Sequence, residues 1–223
     1  MVLEKRMRVY TRITMKKFLS LFAALVCATA ALAQTPRQII NRMNETMKGL
    51  EPTGIAMEVE VHIPVIGTVI SRVWSLHGKQ KTVTTIGKKQ QLEWIDGRTS
   101  WSYDVKSNTV SITEKDSPED NTEANNRLGM FEDLTQGYDF SIKDENAEFW
   151  IFTCTRSKSN PDKDAPKKME LVVRKSDYHP IRLDYRMSLI RLSMRDFRFG
   201  LTDKDVTFDP AECPGATIKD YRK

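Results

Sequence analysis

Apolar and polar positions alternate in "IAMEVEVHI", where Ile55, Met57, Val59, Val61 and Ile63 interleave with Ala56, Glu58, Glu60 and His62. A period of two puts the two sets on opposite faces of a strand, one dry and one wet. Runs of this kind recur at about 68–76, 79–86, 89–95, 99–105 and 109–113, then at about 138–144, 147–155, 168–174, 180–187 and 189–199. A short "VTFDP" is expected to close the series as a last strand. One stretch has a helical period instead. After Thr35, Pro36 suits a first helical position, and Ile39, Ile40, Met43, Met47 and Leu50 recur at helical spacing up to Gly49 or the Glu51-Pro52 break.

Strands that follow one another across short turns predict an antiparallel meander, mainly β (α+β), rather than βαβ units. Two segments interrupt it. "EKDSPEDNTEANN" (114–126) is acidic and polar and leads into "RLGMFEDL", a short helix with Leu128, Met130, Phe131 and Leu134 on or near one face. "RSKSNPDKDAPKK" (156–168) has the composition of a solvated hairpin loop.

The densest aromatic pattern is "QLEWIDGRTSWSY", residues 91–103. Asp96-Gly97 read as a two-residue turn sets Ile95 opposite Arg98, Trp94 opposite Thr99 and Leu92 opposite Trp101. Leu92, Trp94, Trp101 and Tyr103 then share one face. That wall faces either protein, as ordinary core, or a cavity for an apolar ligand, and periodicity leaves both open. Other strands present apolar sets: Met57, Val59 and Val61; Val69 and Val73, or Ile70, Trp74 and Leu76; Ile190, Leu192 and Met194; Phe197 and Phe199. Ten methionines suit an adaptable apolar surface or an irregular core.

The start of the chain changes how its charge is read. From Met15, Lys16 and Lys17 precede an apolar run from Phe18 to Val26 and an Ala31-Leu32-Ala33 cleavage pattern, so residues 1–33 are expected to be a signal peptide, with 1–14 from an upstream start. The apolar run falls short of the roughly 20 residues of a membrane span. Ala24-Leu25-Val26, ahead of Cys27, lacks the small residue expected before an acylated cysteine. Residues 1–33 hold six of the 35 Lys and Arg and one of the 30 Asp and Glu, leaving 29 of each in a single expected domain, 34–223. The excess of positive charge thus belongs to the targeting segment, and no nucleic-acid partner is implied. Cys154 and Cys213 remain, as a disulfide or as two buried thiols.

Reaction chemistry is not visible. His62, His77 and His179 lack metal-ligand spacing, and no nucleophile elbow or phosphate-binding glycine loop occurs. Runs such as Asp116, Glu119, Asp120 and Glu123 read as solvated faces. We expect a binding protein rather than an enzyme, with no cofactor and no metal.

The order of signal peptide, amphipathic helix, Val73-Trp74 strand and "EWIDGRTSWSYD" resembles the LolA family of periplasmic lipoprotein carriers, as do "ELVVRKSDYHPIRLDYR" and "FRFGLTDKDVTFDP" downstream. The resemblance implies an incomplete antiparallel β-barrel of about ten to eleven strands covered by short helices. It implies a periplasmic protein that binds acylated lipoproteins or lipid, receives them from an inner-membrane lipoprotein-releasing transporter and passes them to an outer-membrane acceptor. The expected cavity lining is Met57, Val59, Val61, Trp74, Leu76, Leu92, Trp94, Trp101, Tyr103, Leu192, Met194 and Phe197. Ile40, Met43, Met47, Met130, Phe131 and Leu134 are the expected cover. Where family members often carry an arginine followed by proline, this chain reads His77-Gly78-Lys79, so His77 and Lys79 are the candidates for handling cargo. A sensor or scaffold of the same fold, detecting stray lipid or lipoprotein in the envelope, is the rival function.

Overall fold

The computed structural model describes residues 34–114, 137–160 and 162–222. The chain enters through helix α1 (Pro36–Leu50) and a 3-10 turn at Glu51–Thr53. Six strands follow: β1 (Ile55–Ile63), β2 (Gly67–Leu76), β3 (Lys79–Ile86), β4 (Lys89–Asp96), β5 (Thr99–Asp104) and β6 (Thr109–Glu114). A second run holds β7 (Tyr138–Glu145), β8 (Phe149–Arg156), β9 (Lys168–Arg174), β10 (Pro180–Met187) and β11 (Ile190–Phe199). Helix α2 (Asp203–Val206), a 3-10 turn at Pro210–Glu212 and β12 (Thr217–Asp220) complete it. The expected cover residues Met130, Phe131 and Leu134, and the expected signal peptide, lie outside the described residues.

The described strands form one 12-stranded sheet in the order β12-β6-β5-β4-β3-β2-β1-β11-β10-β9-β8-β7. Two meanders are joined where β1 pairs antiparallel with β11, while β12 and β7 stand at the two edges, so the sheet is not closed. The mainly β, incomplete-barrel class is therefore as expected, with one or two strands more. Pairing is antiparallel throughout except for β12, which runs parallel to β6 from Thr217 opposite Thr109.

Two local expectations are corrected. "VTFDP" is not a strand. The Thr202 backbone N–H donates to Asp205 Oδ2 at 2.7 Å in a capping box, so the chain turns into α2 and delivers Val206 to the interior. The aromatic hairpin turns at Gly97-Arg98, not Asp96-Gly97: Asp96 pairs with Thr99 and Trp94 with Trp101. Gly97 takes φ 60° at the first central position, the place a type II′ turn reserves for glycine. The slip is two residues, an even number, so Leu92, Trp94, Trp101 and Tyr103 still share one face.

Candidate functional site

Register settles which face each side chain occupies, because directly paired residues point the same way. Across the sheet one row reads Met57, Val73, Thr82, Glu93, Ser102 and Ser111. The adjacent row reads Ala56, Trp74, Lys81, Trp94, Trp101 and Ile112, on the opposite face. The apolar surface therefore changes sides at β2, and two separate cores result.

The first core lies beneath α1, on what we call the helix face. Ile39, Ile40, Met43 and Met47 of α1 pack with Ile55, Met57, Val73, Leu171, Leu183 and Phe197. The helix is tied down at its flanks. Arg37 lies 5.5 Å over the Phe140 ring and donates to the Tyr138 carbonyl at 3.3 Å, and Arg42 donates to Tyr178 Oη at 2.8 Å. Coverage is uneven along the strands: Ile55 and Met57 are buried, whereas Val59, Val61, Val69, Leu192, Met194 and Tyr185 are half-buried. These six form an apolar strip that runs along β2, β1, β11 and β10 away from the end where β1 begins. On the β3 side it stops at the hydroxyl-rich positions Ser71, Thr84 and Thr82, with Ser71 and Thr84 joined by a 3.1 Å hydrogen bond.

The second core lies on the other, strap face. Segment 203–216 crosses there, and its Phe208, Cys213 and Ala216 pack with Trp94, Tyr103, Val110 and Ile112. Phe208 stacks on Trp101 at 5.5 Å with 10° between planes and meets Trp94 edge-on at 5.2 Å. Lys81 lies 5.6 Å over Trp74 and 5.5 Å over Trp94, and it pairs with Glu212 of the strap. The aromatic wall of the hairpin thus faces protein.

The expected lining is accordingly divided. Met57, Val59, Val61, Leu192, Met194 and Phe197 share the helix face, together with the covers Ile40, Met43 and Met47. Trp74, Leu76, Leu92, Trp94, Trp101 and Tyr103 share the strap face and cannot line the same cavity. The signal for this was in the sequence. Val73-Trp74 places two large apolar groups on opposite faces of one strand, which marks where the dry side changes.

His77 and Lys79 are not brought to the apolar strip. His77 sits at φ 48° with Gly78 at φ 78° in the β2–β3 turn, and its Nε2 is 3.1 Å from the Pro52 carbonyl oxygen. Lys79 pairs with Asp96 at 3.4 Å and Asp203 at 3.9 Å. Both lie at the end of the sheet where β1 begins. Of the two readings of the cysteines, the structure has the buried thiols: both are free, Cys154 in the helix-face core and Cys213 on the strap, in the strap-face core. Burial pushes the Cys154 thiol up to about 12 and raises Cys213 in the same direction.

Beyond β2, the strap side of the sheet is a charged surface. Glu58 is buried and accepts from Arg72 at 3.0 Å and Arg195 at 2.8 Å, and Arg195 also reaches Glu60 at 2.7 Å. The Arg195 and then the Arg72 hydrogen bonds hold its carboxyl below the usual range. Among the described residues no group of three His, Cys, Asp or Glu side chains is arranged to hold a metal.

No protein-family model and no curated protein matches the chain. Solved structures similar to it include LprF from Mycobacterium bovis, at a TM-score of 0.49 and 11% identity over 75% of this chain and 93% of that one. Lipoprotein LppX from Mycobacterium tuberculosis is similar at 0.47 and 14% over 74% and 95%. A LolA superfamily protein from Nitrosomonas europaea is similar at 0.30 and 15% over 79% and 99%. Likeness at this level concerns fold alone and says nothing of what this chain binds.

Proposed function

We propose that the protein is an exported, periplasmic carrier that takes up lipoprotein acyl chains on the helix face and passes lipoproteins toward the outer membrane. The observation that carries this is the strip of Val59, Val61, Val69, Leu192, Met194 and Tyr185, apolar, continuous with the core under α1, yet only half-buried. An acyl chain laid along it gains about 0.8 kcal/mol per methylene removed from water. Entering further means displacing Met43 and Met47 of α1, whose lost contacts offset part of that gain. Net affinity then stays modest, which suits cargo that is to be handed on. No nucleophile or metal is needed for such a role, and the sequence resemblance to the LolA family agrees with it.

Val61 is the residue to change. A glutamate there places a carboxylate beside Leu192, at a cost of several kcal/mol if a chain covers it. Titration with a fluorescent fatty-acid probe should show at least a tenfold loss of affinity for Val61→Glu while the β-type circular dichroism spectrum is kept. Unchanged affinity in the folded variant would remove the strip from consideration.

A further inference from the structure

Six of the ten most exposed large hydrophobic residues among those described occupy three hairpin tips at one end of the sheet. Val65 and Ile66 are in the β1–β2 turn, Ile86 precedes the β3–β4 turn, and Met187, Leu189 and Ile190 surround the β10–β11 turn. Sheet order makes these tips neighbours, because β4, β3, β2, β1, β11 and β10 are consecutive. At a strand spacing of about 4.8 Å the row is about 24 Å long. No described residue covers it.

The charges within the tip segments are of one sign. "IPVIG" (63–67), "TIGKKQ" (85–90) and "RMSLIR" (186–191) contain Lys88, Lys89, Arg186 and Arg191 and no acidic residue. None of these four cations has an ion pair among the described residues, and Arg186 donates only to the Ser188 carbonyl, at 2.8 Å. Directly behind the tips a groove of about 470 Å³ is lined by Arg186, Arg191, His62, Ser193, Glu60 and Asp184, with Tyr185 and Leu192 as its apolar members. Its two carboxylates are already paired, Glu60 with Arg195 at 2.7 Å and Asp184 with Arg182 at 2.6 Å. The arginines facing it are left to meet an outside anion.

Backbone conformation gives a separate sign. Val65 is fully exposed yet held at φ 73°, a left-handed conformation that a β-branched residue adopts only at a cost. Packing does not explain it, since the side chain touches solvent alone.

The geometry points to a docking rim for an anionic phospholipid bilayer. Neighbouring tips that carry exposed aliphatic side chains, with Arg186 and Arg191 set behind Leu189 and with Lys88 and Lys89 beside Ile86, match the composition of a membrane interface, where an acyl boundary meets phosphates. A protein partner would be met by a concave or flat apolar patch, whereas these residues stand at separate turns and strand ends. The apolar strip of the helix face ends at this same rim, through Val61, Val69 and Leu192. Docking itself does not depend on acyl uptake.

The test is co-sedimentation of the full chain with phosphatidylcholine vesicles, with and without phosphatidylglycerol. Binding is expected only when the anionic lipid is present, and Leu189→Trp should blue-shift its emission on binding. Val65→Asp/Leu189→Asp and, separately, Lys88→Glu/Lys89→Glu should each weaken partitioning at least tenfold. All four positions are on turns or strand ends, and an unchanged melting temperature establishes that the variants fold. Fatty-acid probe uptake by the Lys88→Glu/Lys89→Glu variant should be retained, which separates failure of docking from failure of the acyl strip. Wild-type protein that ignores anionic vesicles, or variants that bind them as well as wild type, would overturn the proposal. So would a concentration-dependent dimer abolished by Val65→Asp/Leu189→Asp, which would make the rim a contact between copies.

Discussion

Phe208→Ala tests the division of the sheet into two faces. Phe208 is half-buried, stacked on Trp101 and edge-on to Trp94, and it is the aromatic anchor of the strap. A phenylalanine buries about 200 Å², worth about 5 kcal/mol at 25 cal/mol per Å², and half-burial brings this to about 2–3 kcal/mol. In a domain of this size that lowers the melting temperature by about 4–12 °C. Urea unfolding followed by tryptophan emission reads the loss directly. The stronger result is a double-mutant cycle with Trp101→Ala, where the stacked pair should show about 0.5–1.5 kcal/mol of coupling. Additivity within about 0.3 kcal/mol would mean that Trp101 does not face the strap, and the assignment of the aromatic wall to protein would fall. Fatty-acid uptake at a temperature where the variant is folded should be unaffected, since the strap and the acyl strip lie on opposite sides.

Glu58→Gln removes the negative charge and one of the two carboxylate oxygens that accept from Arg72 and Arg195; breaking such a pair costs 3–5 kcal/mol when fully buried, but the exposure of both arginines brings this to about 1–3 kcal/mol, measured by urea unfolding. Because Glu58 is lowered in the folded state, its contribution is present above its usual range near 4.5 and is lost as pH falls through the folded value, so the variant should show a flatter acid limb. His179 is lowered by burial, so the unfolded state binds the extra proton, and stability should also decline as pH drops below about 6.5. Cys154 and Cys213 should resist Ellman's reagent in the native state and both react on unfolding; their absence from the denatured count would reveal a disulfide instead. Arg42→Ala frees α1 from Tyr178 and should speed probe entry in stopped-flow mixing while lowering stability by about 0.5–1 kcal/mol.

Strand positions were legible because period-two alternation survives wherever one side is dry, and the hairpin's shared face survived a misplaced turn because a two-residue slip preserves parity. What alternation does not carry is which side of the sheet each dry face joins. Met57 and Trp94 both look inward in their own strands, and although Val73-Trp74 marks a change of side, it takes the unbroken ladder from β1 to β4 to show that these two point oppositely. The pairing of β1 with β11 was equally hidden, since it joins residues such as Val61 and Leu192 across most of the chain. The strap was misread as a strand because "VTFDP" has strand composition, while the capping box Thr202-Asp205 just ahead of it decides the local fold. The docking rim needed the same three-dimensional step. Val65, Ile86 and Leu189 are unremarked apolar residues in three separate turns until sheet order puts them in one row.

The most direct test of acyl carriage on the helix face is photo-crosslinking with a diazirine fatty acid, with adducts mapped by peptide mass spectrometry. Adducts on Val59, Val61, Tyr185, Leu192 or Met194, and on Met43 or Met47 of α1, are the predicted result. Adducts confined to Leu92, Trp101 or Phe208, or none above a detergent-competed background, would contradict it.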